Sequence, residues 1–137
     1  MRPAAVATFC LVLAGCAAQV PLETPAGTWR GVGFPGHPDT EYIRRIDADQ
    51  SFRLEYCAGG RLHVERGHWT FGGSALTLDT EYVDADRAKA EDVYQTDSYD
   101  GTSWEFTLAS SNSDQDDVDN DYAAQRVSDA IQFTGCR

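Results

Sequence analysis

The sequence contains no apolar run long enough to cross a membrane as a helix. Its longest, residues 4 to 14, holds eleven residues broken once by Thr8, whereas a span needs about 20. Beyond that run there is no apolar stripe lasting three helical turns, and no internal repeat. No nucleophile elbow, phosphate loop or Cys/His pair stands out. Helical bundles and motif-bearing enzymes are therefore not expected, and neither is a cofactor. Basic residues are scarce: 11 Lys and Arg face 22 Asp and Glu, for a net charge of −11. That balance argues against nucleic acid as a partner and against electrostatic adhesion to anionic lipid surfaces. It suits a soluble domain or a basic protein partner. A length of 137 residues allows one domain.

The first residues read as a targeting segment. Met1 and Arg2 give a short positive start, the apolar run follows, and Gly15-Cys16 closes it. A run of this length suits the core of a signal peptide. Leu13-Ala14-Gly15-Cys16 resembles the bacterial lipobox, whose cysteine is acylated and becomes the first residue of the mature chain. The resemblance implies a signal peptide over 1–15 and lipidation of Cys16 by several acyl chains, palmitate among them. More than one chain is what stable anchoring requires. Ala17 rather than Asp after the cysteine implies the outer membrane of a bacterial envelope. Cleavage removes Arg2 and no acid, which makes the mature charge about −12.

The four cysteines then sort themselves. Cys10 leaves with the signal peptide and Cys16 takes the lipid. Cys57 and Cys136 remain in an oxidising compartment and are expected to form one disulfide; two unpaired, buried thiols are the alternative. A cross-link closing so long a loop contributes about 4 kcal/mol on the chain-entropy account.

Residues 16–26, with Pro21 and Pro25, read as a lipidated tether, and 27–137 as the folded domain. There the text breaks into short β-like runs between turn residues. The runs are Gly27 to Gly33, Glu41 to Asp47, Ser51 to Cys57, Arg61 to Phe71 and Ala75 to Val83, then Asp92 to Tyr99, Ser103 to Ala109, Tyr122 to Ser128 and Ala130 to Thr134. Phe34 to Pro38 reads as a loop, 84–90 as a polar turn or loop, and Ser110 to Asn120 as a Ser/Asp-rich loop. Phe52, Leu54 and Tyr56 alternate with polar neighbours, as do Trp104, Phe106 and Leu108, which is the pattern of half-buried strands. Asp100-Gly101 signals a hairpin. Eight or nine strands in an antiparallel meander predict a small up-and-down barrel, since closure removes exposed edges. A two-sheet sandwich is the alternative.

Gly27-Thr28-Trp29 resembles the Gly-x-Trp signature on the first strand of lipocalins and lipocalin-like proteins. The resemblance implies that Trp29 closes one end of the barrel and that Arg126, near the end of the eighth run, packs across its ring. Thr96-Asp97-Ser98-Tyr99 loosely resembles the family's second motif, with Ser98 inserted. The chain is shorter than a typical lipocalin and shows no counterpart of its C-terminal helix. Gly27, Trp29 and Arg126 would be structural and would not set ligand specificity.

Several groups invite chemistry. His63 and His68 sit five apart on one predicted strand and so face opposite sides unless Gly67 bulges; with His37 elsewhere, no metal site is expected. Asp114, Asp116, Asp117, Asp119 and Asp121 suggest calcium, but an EF-hand counted from Asp117 puts Tyr122 and Ser128 where Gly and a carboxylate belong. A looser carboxylate site stays open, and a solvated loop is the default. Phe52, Tyr56, Trp69, Phe71, Trp104 and Phe106 are the candidates to line a ligand cavity, and they could equally fill a solid core.

The lipocalin resemblance implies a tethered barrel binding a small apolar or amphiphilic molecule. The alternative is a protein-interaction module: Tyr56-Cys57-Ala58-Gly59-Gly60 faintly resembles the Tyr-x-Cys-x-x-Gly opening of envelope lysozyme inhibitors, without the residue between Tyr and Cys. An acidic barrel suits a basic hydrolase because complementary charge speeds encounter. A structural envelope protein with no ligand is the third expectation.

Overall fold

The computed structural model describes residues 22–83 and 89–136. The expected signal peptide with Cys10, then Cys16, Ala17 and the first part of the expected tether, most of the polar segment 84–90 and Arg137 lie outside the described residues.

Eight strands run in order: β1 (Gly27–Phe34), β2 (His37–Ile46), β3 (Ser51–Ala58), β4 (Arg61–Gly72), β5 (Ala75–Val83), β6 (Glu91–Tyr99), β7 (Ser103–Ser111) and β8 (Asp121–Arg126). Each pairs antiparallel with the next, and β8 returns to β1 to close an up-and-down barrel. The fold is the expected barrel, and the sandwich is excluded.

Local chemistry explains the closure. Pro35-Gly36 makes a two-residue connection, with Gly36 at a φ of 84°, and Phe34 pairs directly with His37. β2 therefore starts at His37, not at Glu41, and the expected loop Phe34 to Pro38 shrinks to a turn. Pro presets the turn's first dihedral and Gly takes the positive one. Gly67 is a close approach: a Cβ there would lie 1.9 Å from the Asp79 carbonyl oxygen. Register shifts at Arg66/Gly67 as β5 crosses β4, yet alternation along β4 is kept. His63 faces in and His68 faces out, where its Nδ1 lies 2.8 Å from Glu81.

The ninth expected run, Ala130 to Thr134, is not a strand. After β8 the chain lies as a strap across the outside of β1–β3. The Val127 amide donates to the Thr28 carbonyl at 2.9 Å, and the Thr28 hydroxyl donates to Asp129 at 2.6 Å. Arg45 donates to the carbonyls of Asp129 and Ile131 at 2.8 and 2.6 Å. The strap ends in the Cys57–Cys136 disulfide, with Cα atoms 6.0 Å apart. The strap's contacts explain why β2 buries both faces at Tyr42, Ile43 and Arg44.

At the other end of the chain, Leu22 packs on the core and the Pro25 carbonyl accepts from the Trp29 indole at 2.8 Å. The expected tether therefore overlaps the fold over these residues. The acidic loop contains a short 3-10 turn, Gln115–Asp117. Asp117 spends its carboxylate inside the fold, accepting from the Gly36 amide at 2.6 Å and from Asn120 at 3.1 Å.

Candidate functional site

Inward-facing positions alternate along every strand, so pairing register stacks them in layers. The lowest layer on the β1–β4 wall is Gly27, Ile46, Phe52 and Gly67. Above it lie Trp29, Arg44, Leu54 and Glu65, then Gly31, Tyr42, Tyr56 and His63. The layers differ in chemistry. The low end is aromatic and closed, and the upper two carry polar groups.

At the closed end the Arg126 guanidinium lies 4.4 Å from the Trp29 ring centroid. It also donates to the Ala26 carbonyl at 3.1 Å and to the Tyr99 hydroxyl at 3.2 Å. Gly27 is required here: its φ is 143°, and a Cβ would lie 2.1 Å from Arg126 Nη1. The residues singled out as Gly-x-Trp, the late arginine and Tyr99 thus meet in one cap. Trp29 continues into Trp104 at 5.0 Å, Trp104 into Phe106 at 4.7 Å, and Phe106 into Tyr94 at 5.3 Å. Ring contacts of this kind add about 0.5–1.5 kcal/mol beyond area burial.

The six cavity candidates are divided by this packing. Phe52, Trp69, Trp104 and Phe106 belong to the large core cluster and Phe71 packs against it. Tyr56 belongs to a second cluster with Phe34, Tyr42 and Leu54. Being fully buried, Tyr56 is not on a surface that a protein partner touches, although its neighbour Cys57 faces outward into the disulfide. The Tyr-Cys resemblance to lysozyme inhibitors therefore presents no tyrosine to a hydrolase.

Sequence reading singled out His63 but not the rest of the polar interior. Arg44, His63, Glu65, Thr80 and Asp92 are all buried on inward-facing positions of β2, β4, β5 and β6. Arg44 reaches across the barrel, with its guanidinium carbon 4.8 Å from the Tyr42 ring centroid and 5.6 Å from that of Tyr94. Burial pushes the Tyr42 hydroxyl above its ordinary pKa of 10.0, and the Arg44 charge partly offsets the rise. A side-chain hydrogen bond with Arg44 acts in the same direction, while Arg44 Nε itself has no hydrogen-bond partner among the described residues. His63 stacks on Tyr56 at 5.1 Å with 12° between the rings, and His37 packs on the same tyrosine at 5.1 Å. The signal for this layer was parity: on one strand, Tyr42, Arg44 and Ile46 share a face, as do His63, Glu65 and Trp69.

Outside the barrel, the strap and β3–β4 enclose a crevice of about 610 Å³ floored by Arg45, Arg53 and Glu55. Glu55 binds both arginines, at 3.3 and 2.8 Å, and Asp129 lines the same crevice, so its two positive and two negative side chains balance. Among the described residues, no group of three His, Cys, Asp or Glu side chains is arranged to hold a metal ion.

In comparisons with known proteins, no family model, curated protein or solved structure matched this chain.

Proposed function

We propose that this chain is a lipid-anchored protein of the bacterial envelope, held through Cys16 at the outer membrane, whose lipocalin-like barrel binds a small amphiphilic molecule. The observation that carries the binding reading is the polar layer inside the barrel. Taking ionised groups out of water costs several kcal/mol each even after relaxation. A barrel that served only as a wall could fill its upper half with apolar side chains, as its lower half is filled. Binding sites are where such costs are met, because a few buried polar groups orient a ligand within apolar walls. The lipocalin-like assignment is supported by the Trp29–Arg126 cap, which is the geometry that resemblance implies. The anchor rests on the lipobox.

Native mass spectrometry of the protein purified with its disulfide intact tests this reading. The expected result is a co-purifying species of several hundred daltons that survives desalting and leaves on organic extraction. The membrane-extracted form should also carry the mass of acyl chains on Cys16. A bare polypeptide mass would contradict ligand binding and move the weight to a basic protein partner for the acidic barrel.

A further inference from the structure

The eight strands close the barrel on themselves, and β8 meets β1 without any residue of the strap. Joining Cys57 to Cys136 therefore holds the strap down and does not hold the barrel shut. The near half of the strap is well tied. The Val127 amide donates to β1, and Thr28 and Arg45 donate to Asp129 and Ile131. Beyond Ile131 these hydrogen bonds stop, among the described residues. Gln132, Thr134 and Gly135 are exposed, and Phe133 is only partly buried. Crevices undercut this distal half on both sides. One of about 610 Å³ lies toward Leu62 and Cys136, and one of about 310 Å³ toward Arg30 and Ile43. Gln132 and Phe133 line both. Few buried contacts and exposed backbone are the marks of a segment that opens locally at low cost.

We infer that the Cys57–Cys136 disulfide is a thiol-exchange site, at which a dithiol reductant entering the larger crevice unlatches residues 132–136 while the barrel stays closed. Cys136 lines that crevice and both cysteines are partly exposed, so an attacking thiolate reaches the bond without unfolding the chain. One thiolate of the dithiol attacks the Cys136 sulfur, forming a mixed disulfide, and Cys57 leaves as a thiolate. The second thiol of the reductant then attacks its own partner sulfur in that bond, and Cys136 leaves. The departing sulfurs take up the two protons that the dithiol gives up. Both electrons come from the dithiol, which ends as a disulfide. Release bares the outer wall at Ile43, which is 2 % exposed with the strap in place. The device works whatever the barrel interior binds.

Reduction of the folded protein by dithiothreitol, followed by thiol labelling over time, tests the access. The rate should rise in proportion to dithiothreitol and change by less than about twofold in urea well below the unfolding midpoint. A rate that climbs about tenfold or more in that urea, tracking the unfolded fraction, would show that exchange needs global unfolding and would overturn the inference. Backbone order parameters test the release. On reduction, residues 132–136 should fall from about 0.85 to below about 0.6, while the amide shifts of Trp29, Trp104 and Leu108 stay in place. The Cys57→Ser/Cys136→Ser double variant should show the same closed barrel and the same loosened segment without reductant. Undiminished order at 132–136, or amide shifts that collapse throughout the barrel, would overturn the latch in either protein.

Discussion

Asp100 closes the β6–β7 hairpin with a single carboxylate oxygen. Oδ1 accepts from the Ser103 amide at 2.7 Å, the Thr102 amide at 3.0 Å and the Thr102 hydroxyl at 3.3 Å. The Ser103 amide bond, first among these, holds the carboxyl below its ordinary pKa of 3.8. Asp49 is lowered in the same way, chiefly by the Ser51 hydroxyl and then by the Ser51 amide. A carboxyl with a depressed folded pKa adds stability that is fully present above the unfolded value and disappears as pH falls through the folded one. Wild type should therefore lose more of its urea midpoint between about pH 5 and pH 3 than the Asp49→Asn/Asp100→Asn double variant, whose side chains do not titrate. Equal losses would show that these two turns do not contribute to acid sensitivity. At the same scale, Tyr122 is pushed up to about 12, first by burial and then by the Asp117 charge.

Among the elements, the strap has the clearest consequence. Residues 127–136 form no strand, yet they cover the outer face of β2 and are fixed at their end to β3 by the disulfide. Cys136→Ser should lower unfolding stability by about 2–4 kcal/mol, read as a shift in urea midpoint that reductant reproduces in the wild type. A change within error would place the strap's stability in its hydrogen bonds to Arg45 and Thr28 instead. The sequence made some elements legible and hid others for physical reasons. β3 and β7 each pack one face inward, so Phe52-Leu54-Tyr56 and Trp104-Phe106-Leu108 alternate openly. β2 was harder to read, because strap contacts bury Ile43 beside Tyr42 and Arg44. Its start was also obscured: Pro38 discourages a strand, and only the tight Pro35-Gly36 turn shows that pairing begins at His37. The cap of Trp29, Tyr99 and Arg126 was partly legible from motif residues. The charged interior was not, since a buried Arg44 or Glu65 reads as surface until register assigns its face.

Over the whole molecule, an acidic exterior encloses an interior split between a packed aromatic end and a polar layer. The surface charge favours solubility and a basic encounter partner, but it says nothing of what the interior holds. The core rings are interlocked from Trp29 to Tyr94, so on the proposed binding reading a ligand would meet the polar layer of Arg44, Tyr42 and Tyr56. An amide-resolved NMR titration of the disulfide-bonded protein with an envelope lipid extract addresses that division directly. The account predicts shifts at Tyr42, Arg44, Leu54 and Tyr56 while Ile46, Phe52 and Trp69 of the large core cluster stay in place. Shifts confined to the outer wall, or none at saturating extract, would contradict the claim that the barrel interior is the binding site.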